Sequence, residues 1–475
     1  MVTVQRNVLP HQFYPTGRMV PEVAFHPHQA HLIFPSTPFF LCGLQPPAPS
    51  ALPYNGSLLH FLHSTQPIQP SCSPLAAAPR SSPAVEIEPE RPIGQGSFGV
   101  VWAVRNPRSG EKAALKKIPN VFQSQLACIR ALREIKVLCE FRHDNLLSAD
   151  DVLQPSQQLL TDVYVLSELM ESDLHQIIVS PQQLSEGHIK IFLYQVLRGV
   201  KYLHTAGVIH RDLKPGNILV NSNCRVKICD FGFARAVDPN QRKAMTMEVV
   251  TQYYRAPELL AGCYHYGVEI DMWSVGCIFA ELLGRRILFE AATPLLQLDM
   301  ITELLGSPSR EDATSIVSTT ALKHLFAKSK PCNLHRLYGL SCHATHEAVH
   351  LLSEMLKFSP QSRLTAAEAL CHPYLEDGRL RYHTTLCSCC HTANGNLRRF
   401  CNDLEPSSPS KFNTQHEKDM TDLHKARAAL MAYITSVTNS KSPLFINTNA
   451  ERFQLFTKCV LDKTPERTAS PSLWP

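Results

Sequence analysis

The stretch that decides the fold is residues 210–217, His-Arg-Asp-Leu-Lys-Pro-Gly-Asn, which match the pattern H-R-D-x-x-x-x-N without a gap. Asp-Phe-Gly follows at residues 230–232, and Ala-Pro-Glu follows at residues 256–258. Each motif supplies a different part of the apparatus for phosphoryl transfer, and their order along the chain is typical of it. The three motifs together therefore predict transfer of a phosphoryl group from ATP.

The side chains in these motifs have separate tasks, because phosphoryl transfer depends mainly on positioning and on neutralising charge. We expect Asp212 to accept the proton of the substrate hydroxyl and Lys214 to steady the γ-phosphate. Asn217 and Asp230 offer the oxygen ligands that Mg²⁺ prefers. Magnesium is thus the predicted cofactor, with ATP as co-substrate.

A glycine-rich stretch lies upstream, where residues 94–101 match G-x-G-x-x-G-x-V. Glycine lets backbone amides approach a phosphate closely. The pattern alone also fits a dinucleotide site or an ordinary tight turn, but a dinucleotide site needs a helix next, and residues 100–104 are strand-like. A hairpin over ATP is therefore favoured, with these candidate nucleotide-binding residues: Gly94, Gln95, Gly96, Ser97, Phe98 and Gly99.

A lysine follows the glycine-rich stretch, near the end of a predicted strand over residues 113–118. Lys116 can neutralise phosphate oxygens if an acidic partner holds it, and Glu134 lies in the next helical segment. Either residue alone would be assigned to the surface. Their order and spacing after the glycines favour a catalytic pair.

The remaining pattern predicts an α+β fold of two lobes. A small antiparallel sheet with one main helix occupies residues 85–170, and a larger helical lobe occupies residues 171–375. The predicted segments are a strand at 163–168 and helices at 130–138, 189–203, 270–283, 294–305 and 345–356.

Charge, cysteine content and the composition of the two ends indicate the partners, the compartment and the order of the rest of the chain. A net charge of +5 over 475 residues is too weak to indicate nucleic-acid or membrane binding. Sixteen scattered cysteines without a signal-peptide pattern indicate a reducing compartment, the cytosol or the nucleus. Residues 1–84, rich in proline and histidine, predict a disordered arm, and residues 376–475 form a C-terminal extension.

Together the motifs resemble the eukaryotic protein kinases, over about residues 88–375. The resemblance implies that Val101, Ala114 and Leu219 sandwich the adenine of ATP. It also implies that Glu168 and Met170 contact adenine through their backbones.

Four further residues gain a role from the same resemblance. Ser167 is expected as the gatekeeper of the nucleotide pocket. Asp271 is expected to brace the catalytic loop, and Arg363 to pair with Glu258.

Further stretches resemble one particular group within the protein kinases. The long insert after residue 284 and Arg255 ahead of Ala-Pro-Glu are similar to the branch with MAP kinases and cyclin-dependent kinases. Residues 116–123, 251–255 and 379–383 resemble the Nemo-like kinases. This likeness implies a proline-directed serine/threonine kinase that acts on TCF/LEF-type transcription factors in Wnt-type signalling. It also implies movement between nucleus and cytoplasm.

Residues 246–248, Thr-Met-Glu, occupy the place of the MAP-kinase activation triplet. We expect Thr246 to be phosphorylated, by an upstream kinase or by the chain itself, and its phosphate to bind arginines. The candidates are Arg130, Arg133 and Arg211, of which the first two can share one helix face with Glu134. A solvated helix face is the alternative for these two.

The C-terminal extension carries two weaker patterns. Cys387, Cys389, Cys390, His391 and Cys401 offer metal ligands, but no C-x₂-C pair is present, so thiols without a metal are favoured over zinc.

The second pattern is an apolar stripe at helical spacing: Met420, Leu423, Leu430 and Ile434. Packing on the kinase core is favoured, while a partner or a second copy in a homodimer remains an alternative.

Two other functions are alternatives to the phosphorylation of proteins. A scaffold protein with a kinase fold is expected to have lost Lys116, Asp212, Asn217 or Asp230, and all four are present. Phosphorylation of a metabolite is disfavoured by the Ala-Pro-Glu motif.

Overall fold

The structure is a computed structural model. It describes residues 85–87, 89–96, 99–153, 161–237, 252–263, 265–314, 316, 318–390, 405–438, 444–446 and 451. The chain divides into two units, residues 1–65 and 66–475, and every described residue belongs to the second. The predicted disordered arm, residues 1–84, lies outside the described residues, as does Thr246.

A five-stranded antiparallel sheet forms the small lobe, in the order β2-β3-β4-β6-β5. Its strands are β2 (Pro89–Gly96), β3 (Gly99–Arg105), β4 (Lys112–Ile118), β5 (Ala149–Leu153) and β6 (Val163–Glu168). The predicted hairpin at the glycine-rich stretch is confirmed by the pairing of β2 with β3.

The main helix of the small lobe is α1 (Gln125–Glu140). The hydroxyl of Ser124 caps its first turn by accepting a hydrogen bond from the amide of Ala127. The helix is buried all round over residues 131–138, which include both apolar core residues and Glu134. The helix therefore positions an acidic side chain inside the molecule.

The large lobe is built mainly of helices. Helices α3 (Glu186–Thr205) and α5 (Glu269–Gly284) are buried along most of their length, and they form its centre. Around them lie α2 (Leu174–Val179), α4 (Pro257–Leu260), α6 (Pro294–Leu305), α7 (Thr319–Phe326), α8 (His346–Met355), α9 (Ala366–Leu370) and α10 (Glu376–Thr385). All the helices predicted in this lobe are confirmed.

Short antiparallel strands hold the loops that face the small lobe. One set pairs β7 (Ser172–Asp173) with β9 (Ile218–Val220), and β9 with β10 (Val226–Ile228). The other pairs β8 (Val208–Ile209) with β11 (Arg235–Ala236). These pairs fix both ends of the segment that carries residues 210–217.

The C-terminal extension folds back over the small lobe; the sequence favoured packing on the kinase core without indicating which lobe. It contains α11 (Gln415–Asp419), α12 (Leu423–Val437) and β12 (Leu444–Ile446). Helix α12 packs on α1, and β12 pairs in parallel with β1 (Val85–Ile87). Within the described part of the chain, no helix is both long enough and apolar enough to cross a membrane.

The apolar stripe of the extension packs against the kinase core. Met420, Leu430 and Ile434 are at most 1% exposed. The backbone oxygen of Met420 accepts a hydrogen bond from Gln125 of α1, at 2.6 Å. The packing interpretation of this stripe is confirmed.

Candidate active site

The loop with residues 210–217 is held by one buried carboxylate. Asp271, at the start of α5, accepts hydrogen bonds from the backbone amides of His210 at 2.8 Å and Arg211 at 2.9 Å. Burial alone would raise the pKa of Asp271, but hydrogen bonds, above all that with His204, hold the pKa below its ordinary value. Asp271 is therefore ionised, and its predicted bracing role is confirmed.

The predicted base, Asp212, is itself buried, with 5% of the residue exposed. Its Oδ2 accepts hydrogen bonds from Lys214 Nζ at 3.1 Å and from Asn217 Nδ2 at 3.0 Å. Burial raises the pKa of Asp212, while the charge of Lys214 opposes this shift. A carboxylate with a raised pKa holds a proton better than an ordinary aspartate, which suits a group that accepts one.

Lys116 joins the two lobes of the site. Its Nζ lies 2.6 Å from Glu134 of α1 and 3.4 Å from Asp230. Burial by itself would lower the pKa of Lys116, but these two carboxylates outweigh it and raise the pKa above the ordinary value. The lysine is a fixed cation, and the predicted contact with Glu134 is present.

The Asp-Phe-Gly motif directs its acid into the cleft. The ring of Phe231 is fully buried and lies edge-on to His210, with centroids 5.4 Å apart. Asp230 adopts a left-handed backbone with φ of 66°. This turn buries the phenylalanine beneath the site and leaves the aspartate within reach of Lys116.

A cavity of about 290 Å³ lies between these groups and the sheet. Eight of the predicted nucleotide-binding residues line it: Gly94, Gly99, Val101, Ala114, Lys116, Glu168, Met170 and Leu219. Gln95 and Gly96 form the end of β2, opposite Val100 and Gly99. Ser97 and Phe98 lie outside the described residues. The expected gatekeeper, Ser167, also lines the cavity.

The third glycine of the loop has a steric reason to be glycine. Gly99 has a φ of +142°, and a Cβ atom there would lie 1.7 Å from the backbone oxygen of Lys117. Any side chain would therefore push β3 away from the neighbouring strand. The glycine therefore lets β3 stay paired with β4 at the point where the hairpin lines the cavity.

Sequence reasoning missed several residues that line the cavity. Ile93 precedes the glycines, while Leu138 of α1 and Leu147 also face the space. Ile93 was detectable as the apolar residue just before the motif, but the two leucines come from segments without a motif. Cys229 was not missed: its place directly before Asp230 predicts that it faces the ATP site, and it lines the cavity. Burial raises the pKa of its thiol far above the ordinary value.

The donor atoms at the cavity fit a hard cation. Asp230 offers a carboxylate, and the Nδ2 of Asn217 already donates to the backbone oxygen and the carboxylate of Asp212. The amide oxygen of Asn217 is thus the atom it can offer to a metal. Oxygen donors of this kind suit Mg²⁺.

Of the three predicted phosphate-binding arginines, Arg133 already holds an acidic partner. Its Nε and Nη2 each donate to a carboxylate oxygen of Glu417 in α11, both at 2.5 Å. The partner belongs to the C-terminal extension, 284 residues away in sequence. This contact was not predictable from the helix face alone.

The other two arginines lie close to the same place. The guanidinium of Arg130 lies 5.8 Å from the ring centre of Phe233. Arg211 donates to the backbone oxygen of Phe233 at 2.7 Å and to the hydroxyl of Tyr266 at 2.8 Å. Burial, with the charges of Arg133 and Arg211, lowers the pKa of Arg235. Arg235 is therefore a fourth arginine of this cluster. Since Thr246 lies outside the described residues, its contact with the cluster stays a prediction.

The Ala-Pro-Glu motif is anchored by a buried ion pair. Arg363 donates to both carboxylate oxygens of Glu258, each at 2.6 Å. The exposed side-chain fractions are 0% and 3%. The predicted pairing is confirmed, and it fixes the end of the segment that follows the active site.

The cleft, the braced loop, the lysine–glutamate pair and the anchored Ala-Pro-Glu motif together define a protein kinase. The protein kinase domain family matches residues 87–375. The chain is 54% identical over 373 residues to the serine/threonine-protein kinase NLK2 of Xenopus tropicalis, covering 78% of this chain and 82% of that one.

Two other relatives place the chain more finely. It is 50% identical over 408 residues to the serine/threonine kinase NLK of Caenorhabditis elegans, covering 84% of this chain and 64% of that one. It is 48% identical over 292 residues to the mitogen-activated protein kinase homolog NTF3 of Nicotiana tabacum, covering 60% and 77%. The chain belongs to the protein kinase family and, within it, to the Nemo-like kinases, ATP-dependent serine/threonine kinases of the MAP-kinase type.

Proposed function

We propose that this kinase is proline-directed and that its substrates are transcription factors of the TCF/LEF type in Wnt-type signalling. The observation that carries the catalytic part is that Lys116, Asn217 and Asp230 line one cavity. Asp212 is placed beside them by its hydrogen bonds from Lys214 and Asn217. The proposed substrate class rests on membership of the Nemo-like group.

The proposed division of labour follows from the contacts. Lys116, held by Glu134, binds phosphate oxygens of ATP. Asp212 orients the substrate hydroxyl and takes its proton, while Lys214 stays close enough to neutralise the transferring group. Asn217 and Asp230 hold Mg²⁺, which neutralises phosphate charge when bound.

Proline direction is supported by the setting of Arg255. The guanidinium is half-buried, which lowers its pKa, and it is close enough to Asp212 for the charge of that carboxylate to oppose the shift. Its neighbour Tyr254 is fixed by two hydrogen bonds, from its hydroxyl to Glu281 at 2.7 Å and to its backbone oxygen from Ser274 at 2.8 Å. Proline after the substrate residue brings no N–H that would need a partner here.

We further propose that phosphorylation of Thr246 activates the enzyme through the arginine cluster. A phosphate adds about −1.5 to −2 charges and pairs well with arginine. Arg133 lies directly before Glu134 on α1, so an anion bound to Arg133 helps to hold Glu134 against Lys116. Glu417 supplies such an anion from the C-terminal extension.

Localisation in both nucleus and cytoplasm is proposed on family membership. A homodimer gains no support from the apolar stripe of the extension, because that stripe is buried on the core. The alternative of a scaffold with a kinase fold is not favoured, since the catalytic side chains are present and brought together.

The substrate proposal is tested with matched substrates. The purified full chain should phosphorylate a Ser-Pro peptide much faster than its Ser-Ala twin, and it should modify a TCF/LEF-type protein at Ser-Pro or Thr-Pro sites. Asp212→Asn serves as the inactive control. Equal rates on the two peptides would reject proline direction, and an unmodified TCF/LEF protein would reject that substrate class.

A further inference from the structure

A cluster of one histidine and three cysteines lies at the C-terminal end of helix α10, away from the nucleotide cavity. The ligand atoms of His383, Cys387, Cys389 and Cys390 all lie within 4.8 Å of one another. His383, Cys387 and Cys390 are at most 2% exposed. We propose that these four residues bind a structural zinc ion.

The distances fit tetrahedral zinc. Zinc binds sulfur at about 2.3 Å and histidine nitrogen at about 2.0–2.1 Å, so a regular tetrahedron separates two sulfurs by about 3.8 Å and sulfur from nitrogen by about 3.6 Å. In the structure, the sulfurs of Cys389 and Cys390 are 3.9 Å apart. The Nδ1 of His383 lies 3.5 Å from the first and 3.4 Å from the second.

The histidine is oriented as a metal ligand. Its Nε2 lies 2.7 Å from the hydroxyl of Tyr194, which donates in turn to Glu405 at 2.5 Å. With the Tyr194 proton committed to Glu405, Nε2 of His383 is the donor, and Nδ1 carries the lone pair that a metal needs. Zinc-binding histidines commonly have such a partner on the second nitrogen.

The ligand chemistry selects zinc rather than a hard cation. Three thiolates and one imidazole are donors that zinc favours and that magnesium and calcium do not. Such a complex carries a net charge of −1, and the buried guanidinium of Arg198 lies close enough to act electrostatically on Cys389. The surroundings therefore match the charge of the filled site.

These four ligands were not grouped in the sequence analysis. Counting from Cys387 onward gave no C-x₂-C pair, but His383 precedes Cys387 by one helical turn, and together they form H-x₃-C-x-C-C. His391 and Cys401, the other candidates in the sequence, lie outside the described residues. The preference for thiols without a metal is replaced here by the proposal of a zinc site with a different histidine.

A metal at this place would fasten the start of the C-terminal extension. The hydroxyls of Ser388 and Tyr382 donate to Asp144, which lies in the loop after α1, at 2.8 and 3.0 Å. Tyr382 also accepts a hydrogen bond from Arg198 of α3, at 2.6 Å. Zinc would thus tie α10 to both lobes, away from the nucleotide cavity.

The test is the metal content of the full chain, expressed with zinc and washed without chelator. We expect one zinc per chain by mass spectrometry of the metal. Replacement of zinc by Co²⁺ should give the visible absorption of a tetrahedral thiolate complex. His383→Asn and Cys390→Ser should lose the metal, whereas the exposed-cysteine control Cys332→Ser should retain it.

Chelation should also lower the melting temperature of the parent, and added zinc should restore it. Circular dichroism of each variant shows whether a variant that lost the metal has kept its fold. Whether the chain binds zinc at all is decided by the metal content of the parent alone. A parent without zinc overturns the proposal. Loss of zinc in His391→Asn with retention in His383→Asn overturns the ligand set.

Discussion

The contact between Arg133 and Glu417 gives the most specific prediction about how the extension supports catalysis. Glu417→Gln keeps the size of the side chain and removes its charge. The two hydrogen bonds, each 2.5 Å long, are partly buried, with side-chain exposures of 10% for Arg133 and 18% for Glu417.

The expected cost follows from this burial. A hydrogen bond to a charged group contributes about 1.5–3 kcal/mol, and fully buried pairs cost more to break. The glutamine retains one acceptor, so we expect a loss of about 2 kcal/mol in the free energy of unfolding. For a chain of this size this corresponds to a fall in melting temperature of about 2–3 °C.

Activity should fall as well, because Arg133 precedes Glu134 on α1. If about 1.4 kcal/mol of the loss acts on the active arrangement of α1, the activity of enzyme without phosphate on Thr246 falls about tenfold. Enzyme phosphorylated at Thr246 should be affected less, since the phosphate replaces the lost anion.

Thermal unfolding and a steady-state kinase assay measure both effects. The control is Glu303→Gln, whose side chain is 59% exposed and 4.0 Å from its lysine partner. A double-mutant cycle with Arg133→Met should give a coupling energy of about 1–2 kcal/mol. Equal melting temperatures for Glu417→Gln and Glu303→Gln, or strictly additive effects in the cycle, would refute the reasoning.

Three further predictions concern the core and the site. Glu258→Gln leaves Arg363 as an uncompensated buried charge and should cost about 3–5 kcal/mol in urea unfolding; a loss below about 1 kcal/mol contradicts the anchoring role. Because burial raises the pKa of Asp212, the ionised base is lost as pH falls through that raised pKa. The acid limb of the kcat/KM profile should therefore lie above the ordinary aspartate value of about 3.9, and a limb at that value counts against a buried base. Gly99→Ala should raise the KM for ATP, since its Cβ would lie 1.7 Å from the Lys117 oxygen; an unchanged KM shows that the hairpin does not cover the nucleotide.

The sequence was most informative where catalysis fixes residue type and spacing. Asp212, Asn217 and Asp230 follow from motifs within 21 residues, and the loop bends them together through local backbone geometry. Strong helices such as α6 have clear periodicity and a capped start at Thr293. For these parts, local patterns determine local structure.

Contacts between distant segments were less predictable. Glu417 lies in a short polar helix with no motif, so its pairing with Arg133 depends on how α12 docks on α1. His383 was hidden because its three partners begin one helical turn later. In both cases the partner is set by tertiary packing, which no window along the chain contains.

The central claim is that Lys116 and Asp212 act on one ATP molecule. The direct measurement is transfer of the γ-phosphate from ATP to a Ser-Pro peptide, by full chain phosphorylated at Thr246, with Lys116→Met and Asp212→Asn alongside. We predict that each substitution lowers kcat/KM by at least about 100-fold while the fold is retained. Parent enzyme that transfers no phosphate, or variants that match the parent rate, would contradict the account.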